Sequence, residues 1–292
     1  MVRYDTILKI IEKETKKCKA TAKARKIGST AKWETLYDEN GNKKGSKVTY
    51  EDGTTITYTK DQSITQITMP NGEKIDYLEN KSYDFFEDFT SFELQQKYGQ
   101  EGYEFFKKYC GIYYSYSYRY INQYLRGEIT KERAIEKMGS NEFNFIIDNY
   151  DNFNKILNES TFNKLPTFFT VRETVGLFDN DNIDKKIVTD KGYTSASSGM
   201  NTRDMKSTFG SPKGYTIITV YEKGNSASTG AFLGSVLKDI NGFDREREVL
   251  TAPNHKFERF LIDEENKIIF QKPYKTWKNL NNTANKHYII RY

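Results

Sequence analysis

The sequence predicts an α+β fold, with helices gathered ahead of most of the strands rather than alternating with them. Residues 83–157 are dense in aromatics, contain no proline and have a helical texture, and seven strand-like segments follow them. Ahead of both, residues 33–77 change to a period of two, the signature of a small antiparallel sheet.

Taken in order, residues 5–27 read as a Lys-rich amphipathic helix ending near Gly28-Ser29. Next come the β-branched runs Thr54–Thr59 and Ile64–Thr68. They are set among Asn40-Gly41, Asp52-Gly53 and Asn71-Gly72, whose glycines supply the positive φ of hairpin turns. Within the helical stretch, Tyr113–Arg126 forms one helix that stops at Gly127. Strands are then expected at Phe168–Arg172, Gly192–Ser197, Tyr215–Tyr221, Glu248–Leu250, Phe257–Ile262, Lys267–Phe270 and Tyr288–Arg291. The chain divides into residues 1–80, a basic helix plus β-hairpin region without an assigned role, and a larger domain over 81–292.

Composition narrows the chemistry. Charged residues make up 29% and hydrophobic ones 36%, but an aromatic share of 15% argues for a packed core, because disordered chains are poor in aromatics. Residues 1–30 carry nine Lys/Arg against three Asp/Glu, so the remainder is near neutral. Such a segment could touch phosphates or anionic lipid; a solvated helix face is the plainer reading. With only Cys18, Cys110, His255 and His287 there is no disulfide framework, no zinc spacing and no Cys–His or Ser–His–Asp arrangement. Acid–base work falls to carboxylates, and no metal is expected. No GxGxxG or GxxxxGK[ST] loop occurs. The apolar patch in Met1–Ile11 is too short and charged for a secretory signal, and no run of about 18 apolar residues exists. Cytoplasmic residence and delivery by a signal-independent route both stay open.

Three segments carry the chemistry. In extended backbone, residues i and i+2 share a face, so Glu246 and Glu248 of Gly242–Leu250 point into one cleft before Val249 and Leu250 enter a buried strand. Alone this is weak: among 40 acidic residues in 292, about five such pairs arise by chance. Upstream, Asp190–Ser197 is a turn leading into a strand with Ser195 and Ser197 on one face, and Phe168–Arg172 is a strand ending in an arginine. The order Arg, Ser-x-Ser, Glu-x-Glu is far rarer than any one of its parts.

In that order, Arg172, Ser195-Ala196-Ser197 and Glu246-Arg247-Glu248 resemble the Arg–Ser–Glu class of mono-ADP-ribosyltransferases, which includes bacterial actin-modifying toxins and related phage and vertebrate enzymes. Tyr120–Arg126 resembles the helix in which such toxins hold an Asn and an Arg near the dinucleotide, and Phe243 resembles the aromatic of their substrate-recognition loop. The resemblance covers roughly residues 83–292. It implies the ADP-ribosyltransferase fold, a helical half packed on a two-sheet β core, with NAD as co-substrate and a toxin or effector role. It departs at Ala196, where a Thr is usual, and at Glu173, where a Gly is frequent.

By that resemblance Glu248 holds the ribose 2′-hydroxyl and Ser195 orients Glu248. Arg172 and Arg126 hold the pyrophosphate, with Asn122 and Ser197 also beside the cofactor. A fixed carboxylate in a partly dry cleft suits the oxocarbenium-like state formed when nicotinamide leaves. Guanidinium groups match phosphate oxygens. Glu246 is read as the acceptor-side base, which favours protein arginine as acceptor, since a guanidinium needs a carboxylate to deprotonate it. A nucleic-acid acceptor stays open. A plain NAD glycohydrolase and a non-catalytic, transferase-like binding protein are the alternatives. A glycosidase ranks below them, because its two carboxyls must flank a sugar from opposite sides.

Overall fold

The computed structural model describes residues 31–77, 85–174, 181–198, 214–234, 236, 247–264 and 266–274. The helix expected over 5–27, the strand at 288–291, Phe243 and Glu246 lie outside these residues.

The first element group is a five-stranded antiparallel meander: β1 (Lys32–Tyr37), β2 (Lys43–Thr49), β3 (Thr55–Thr59), β4 (Ile64–Thr68) and β5 (Lys74–Asp76). All four of its hairpins have one geometry. The amides of Gly41, Gly53, Gln62 and Gly72 each donate to the carbonyl three residues back, and all four residues have φ between 64° and 88°. This is the three-residue loop closed by a left-handed residue. Three of the four were legible as Asn-Gly or Asp-Gly; Gln62 performs the same turn without glycine.

Helices follow: α1 (Phe85–Ile112), broken by a kink at Gly99 (φ +69°), a π-helical turn over Tyr113–Ser117, α2 (Tyr118–Arg126), α3 (Lys131–Met138), α4 (Ser140–Asp148) and α5 (Tyr150–Glu159). The expected single helix over Tyr113–Arg126 therefore opens with a π turn. Its end is as expected. Gly127 (φ +79°) donates to the Tyr124 carbonyl and Glu128 to that of Gln123, the paired bonds of a Schellman cap.

The remaining strands form one eight-stranded sheet: β6 (Phe168–Glu173), β7 (Ile187–Asp190), β8 (Thr194–Ser197), β9 (Thr216–Tyr221), β10 (Ala231–Phe232), β11 (Glu248–Thr251), β12 (His255–Asp263) and β13 (Ile268–Pro273). Their spatial order is β10-β11-β8-β6-β9-β13-β12-β7, antiparallel except for β9 beside β13. The short strands β7 and β10 were not foreseen. The expected two-sheet core is thus a single hydrogen-bonded sheet, but its halves meet at one residue pair only, Val171↔Ser197. By contrast β6 shares six pairs with β9, and β8 four with β11. Past Val171↔Ser197, β6 continues to Glu173 and β8 reaches back to Thr194 without pairing. The two strands part there.

Two cores bury the faces beside that parting. Tyr109, Tyr113, Phe153 and Ile156 of the helices pack on Tyr193, Leu250 and Ala231. The five-stranded sheet packs Val48, Ile56, Ile64, Ile67 and Ile75 against Phe169, Val171, Ile218, Val220 and Phe270. Across this contact the Tyr50 hydroxyl donates to Asp263 at 2.9 Å. Residues 31–77 therefore share a core with the larger sheet. Among the described residues no helix is long and apolar enough to cross a membrane.

Candidate active site

Glu248 opens β11 and is buried. Its cross-strand partner is Ser197, while Ser195 sits opposite Leu250, one diagonal step away on the same face. Across that diagonal the Ser195 hydroxyl donates to Glu248 Oε1. The middle residue, Ala196, faces the other way and is buried opposite Val249, so alternation accounts for the missing threonine.

A second hydroxyl reaches the same oxygen: Tyr114 Oη also donates to Glu248 Oε1. Tyr114 lies in the π turn, whose wider winding advances the side chains relative to an α-helix. Tyr113 is thereby buried in the core, edge-on to Tyr193 at 5.1 Å, while Tyr114 faces the carboxylate. Burial, then the Glu248 charge, pushes the Tyr114 phenol well above its usual range, so it remains a donor. The same two causes raise Tyr113 and Cys110. Tyr118, half exposed, stacks on Tyr114 with ring centroids 6.4 Å apart. Sequence reasoning missed Tyr114; the Tyr113–Tyr120 aromatic run was the available signal, but only the π turn says which ring turns to the site.

Arg247 precedes Glu248 with φ +44°. Its carbonyl accepts from both the Ser198 amide (3.1 Å) and the Ser198 hydroxyl (2.7 Å), which bolts this left-handed corner to the end of β8. A non-glycine residue there costs on the order of 1 kcal/mol. Residue 247 thus lacks the extended backbone that places residues i and i+2, such as Glu246 and Glu248, on one face.

Arg172 is buried near the end of β6, opposite Ile217. Its Nη1 donates to the Glu173 carbonyl at 3.2 Å; nearby, burial raises the Tyr221 phenol, opposed first by the Thr170 hydroxyl and then by the Arg172 charge. Val171 is two strands from Glu248, about 10 Å. Strand alternation turns Arg172 away from the face shared by Val171, Ser197 and Glu248. Glu173 returns to that face, buried, and accepts from the Thr216 hydroxyl at 2.6 Å.

Asn122 and Arg126, one turn apart on α2, both grip the turn ahead of the serine motif. Arg126 Nε and Nη2 meet the two oxygens of Asp190 at 2.9 Å each. Asn122 Oδ1 accepts from the Tyr193 amide at 2.8 Å, and its Nδ2 donates to the Tyr113 hydroxyl at 2.9 Å. The structure thus joins Ser195, Ser197 and Glu248, with Tyr114, on one face of β8 and β11 as a single wall. It sets Asn122 and Arg126 behind that wall and Arg172 at the parting strand. Among the described residues no group of three metal-ligating side chains occurs.

No protein-family model matches the sequence, and no curated protein matches it. Among solved structures the chain is similar to bacterial ADP-ribosyltransferase toxins. Vis, from Vibrio splendidus, in complex with an inhibitor, is 16% identical with a TM-score of 0.46, covering 68% of this chain and 86% of that one. Plx2a from Paenibacillus larvae is 15% identical (TM-score 0.45; 69% and 98% covered). Exoenzyme S from Pseudomonas aeruginosa, bound to carba-NAD, is 14% identical (TM-score 0.42; 71% and 95% covered). At this distance the likeness is one of fold and brings no residue roles with it.

Proposed function

We propose that the chain is a mono-ADP-ribosyltransferase that moves ADP-ribose from NAD to an acceptor, with protein arginine favoured, and releases nicotinamide. The observation that carries this reading is the buried Glu248 carboxylate held by the Ser195 and Tyr114 hydroxyls beside the parting of β6 and β8. A carboxylate fixed this way is pre-aimed, so stabilising a developing cation requires no reorganisation.

In the reaction, the bond from ribose C1′ to the nicotinamide nitrogen breaks and its electron pair leaves with nicotinamide. Glu248 stabilises the positive charge on the ribose and holds the 2′-hydroxyl. Arg172 serves the pyrophosphate, which requires the dinucleotide to pass round the end of β6 to the face opposite Glu248, and Ser197 lies beside the cofactor. A guanidino nitrogen of the acceptor then bonds to C1′ and its proton passes to Glu246. Water in place of the acceptor gives hydrolysis. Phe243 contributes to acceptor recognition. No metal takes part. Residues 81–292 carry the catalytic residues, and 1–80 is an accessory region whose strands over 31–77 complete the core of the larger sheet.

The test uses NAD labelled in its adenylate half and agmatine as a small guanidino acceptor. Labelled ADP-ribosyl-agmatine is expected from the native chain. Glu246→Gln is expected to reduce it by on the order of 10²-fold while leaving some NAD hydrolysis. Equal loss of both activities contradicts the acceptor role of Glu246, and hydrolysis without any transfer makes the chain an NAD glycohydrolase.

A further inference from the structure

We infer that Arg126 serves the proposed NAD reaction through Asp190 rather than through the pyrophosphate: with Asn122 it locks the turn at 190–193 and so fixes where Ser195 meets Glu248. The role rests on the reading above, because it matters for turnover only if Ser195 and Glu248 act on NAD.

Asp190 is the hub. Its carboxylate is buried and accepts four bonds: from Arg126 Nε and Nη2, from the Gly192 amide at 2.9 Å and from the Thr194 hydroxyl at 3.0 Å. A side-on guanidinium pair of this kind has little adjustable geometry. Arg126 is itself nearly buried, with 11% of its side chain exposed against 3% for Asp190. The pair is close to neutral as a unit, which weakens its pull on a phosphate. Turning Arg126 towards an incoming pyrophosphate would leave the Asp190 carboxylate buried without its counter-charge, an unfavourable exchange.

The turn is fitted to the clamp. A Cβ on Gly192 would stand 2.9 Å from Asn122 Oδ1 and 3.1 Å from Arg126 Nε, so any larger residue pushes against the two side chains of the clamp. One residue on, the Tyr193 amide donates to Asn122, and the Tyr193 hydroxyl meets that of Tyr109 at 2.9 Å in the helical core. Two residues further comes Ser195. The register of β8 against β11, and with it the Ser195–Glu248 contact, is set by a turn held at both ends by α2. Productive geometry in such sites tolerates errors of only about 0.5 Å.

The test compares Arg126→Gln, Arg126→Lys, Asp190→Asn and the double Arg126→Gln/Asp190→Asn with the native chain. It reads kcat for nicotinamide release, NAD affinity by calorimetry and amide hydrogen exchange over residues 192–197. The three single variants are expected to lose kcat to a similar extent, on the order of 10-fold or more, with NAD affinity within about threefold. The double variant is expected to be no worse than either of its singles. Exchange over 192–197 should quicken at least about 10-fold while β9 and β13 stay protected. Lysine cannot reproduce the two-pronged pair, so Arg126→Lys failing like Arg126→Gln supports the clamp. The inference is overturned if Asp190→Asn leaves kcat and exchange unchanged while Arg126→Gln weakens NAD binding and Arg126→Lys restores it. If the native chain releases no nicotinamide, the enzymatic reading falls, and the exchange measurement alone decides whether the clamp holds the turn.

Discussion

Replacing Tyr114 by Phe removes one oxygen and nothing else from the wall around Glu248. The ring keeps its edge-on contact with Tyr113 at 4.8 Å and its stack on Tyr118, so the fold loses little. What is lost is one of two hydroxyls on Glu248 Oε1. A hydrogen bond to a charged group contributes about 1.5–3 kcal/mol net, and Ser195 still holds the same oxygen. The lower end of that range is therefore expected, about a tenfold fall in kcat, with NAD affinity within about twofold and the melting temperature lower by no more than about 5 °C. Because both donors share one acceptor atom, Tyr114→Phe/Ser195→Ala should depart from the product of the single effects. Nicotinamide release under saturating NAD reads the effect directly. A Tyr114→Phe enzyme with native kcat would refute the reasoning that this phenol steadies the carboxylate.

Further outcomes concern the frame around the site. Burial pushes His255 down to about 4, so between pH 6.5 and 4 the unfolded chain takes up a proton that the folded chain refuses. Stability should be fully present above pH 6.5 and fall by up to about 3 kcal/mol as pH drops through that window; urea melts of His255→Gln should lack this component. Gly192→Ala should destabilise by about 1–3 kcal/mol, read by thermal melts, because Asn122 and Arg126 leave no room for a methyl group. Deleting residues 1–77 should give an aggregating product in size-exclusion chromatography. It uncovers Phe169, Val171, Ile218, Val220 and Phe270, and each large apolar side chain contributes about 1.5–3 kcal/mol when buried. A soluble, folded 78–292 fragment would show the sheet to be a separable appendage.

The strands that carry the serine motif and Glu248 were legible because their residue types alternate or cluster as buried strands do. The hairpins were legible where glycine marks a left-handed turn, and invisible at Gln62 where it does not. Three site features were not legible. Which tyrosine meets Glu248 depends on the π turn, and no local periodicity announces a π turn. Asp190 read as a turn residue because its partner Arg126 is 64 positions away. The Arg247 corner looked extended because arginine has no special preference for positive φ, and only its bonds to Ser198 hold it there. Long-range partners decide the last two, and the local winding of the helix decides the first.

The most direct measurement is nicotinamide release from NAD by the native chain and by Glu248→Gln, an exchange that keeps the side chain's size and removes its charge. Release by the native chain, with loss of both hydrolysis and transfer in the variant despite an unchanged melting curve, is the predicted result. Turnover by Glu248→Gln close to that of the native chain, or no release from either, contradicts the assignment of this carboxylate to the bound dinucleotide.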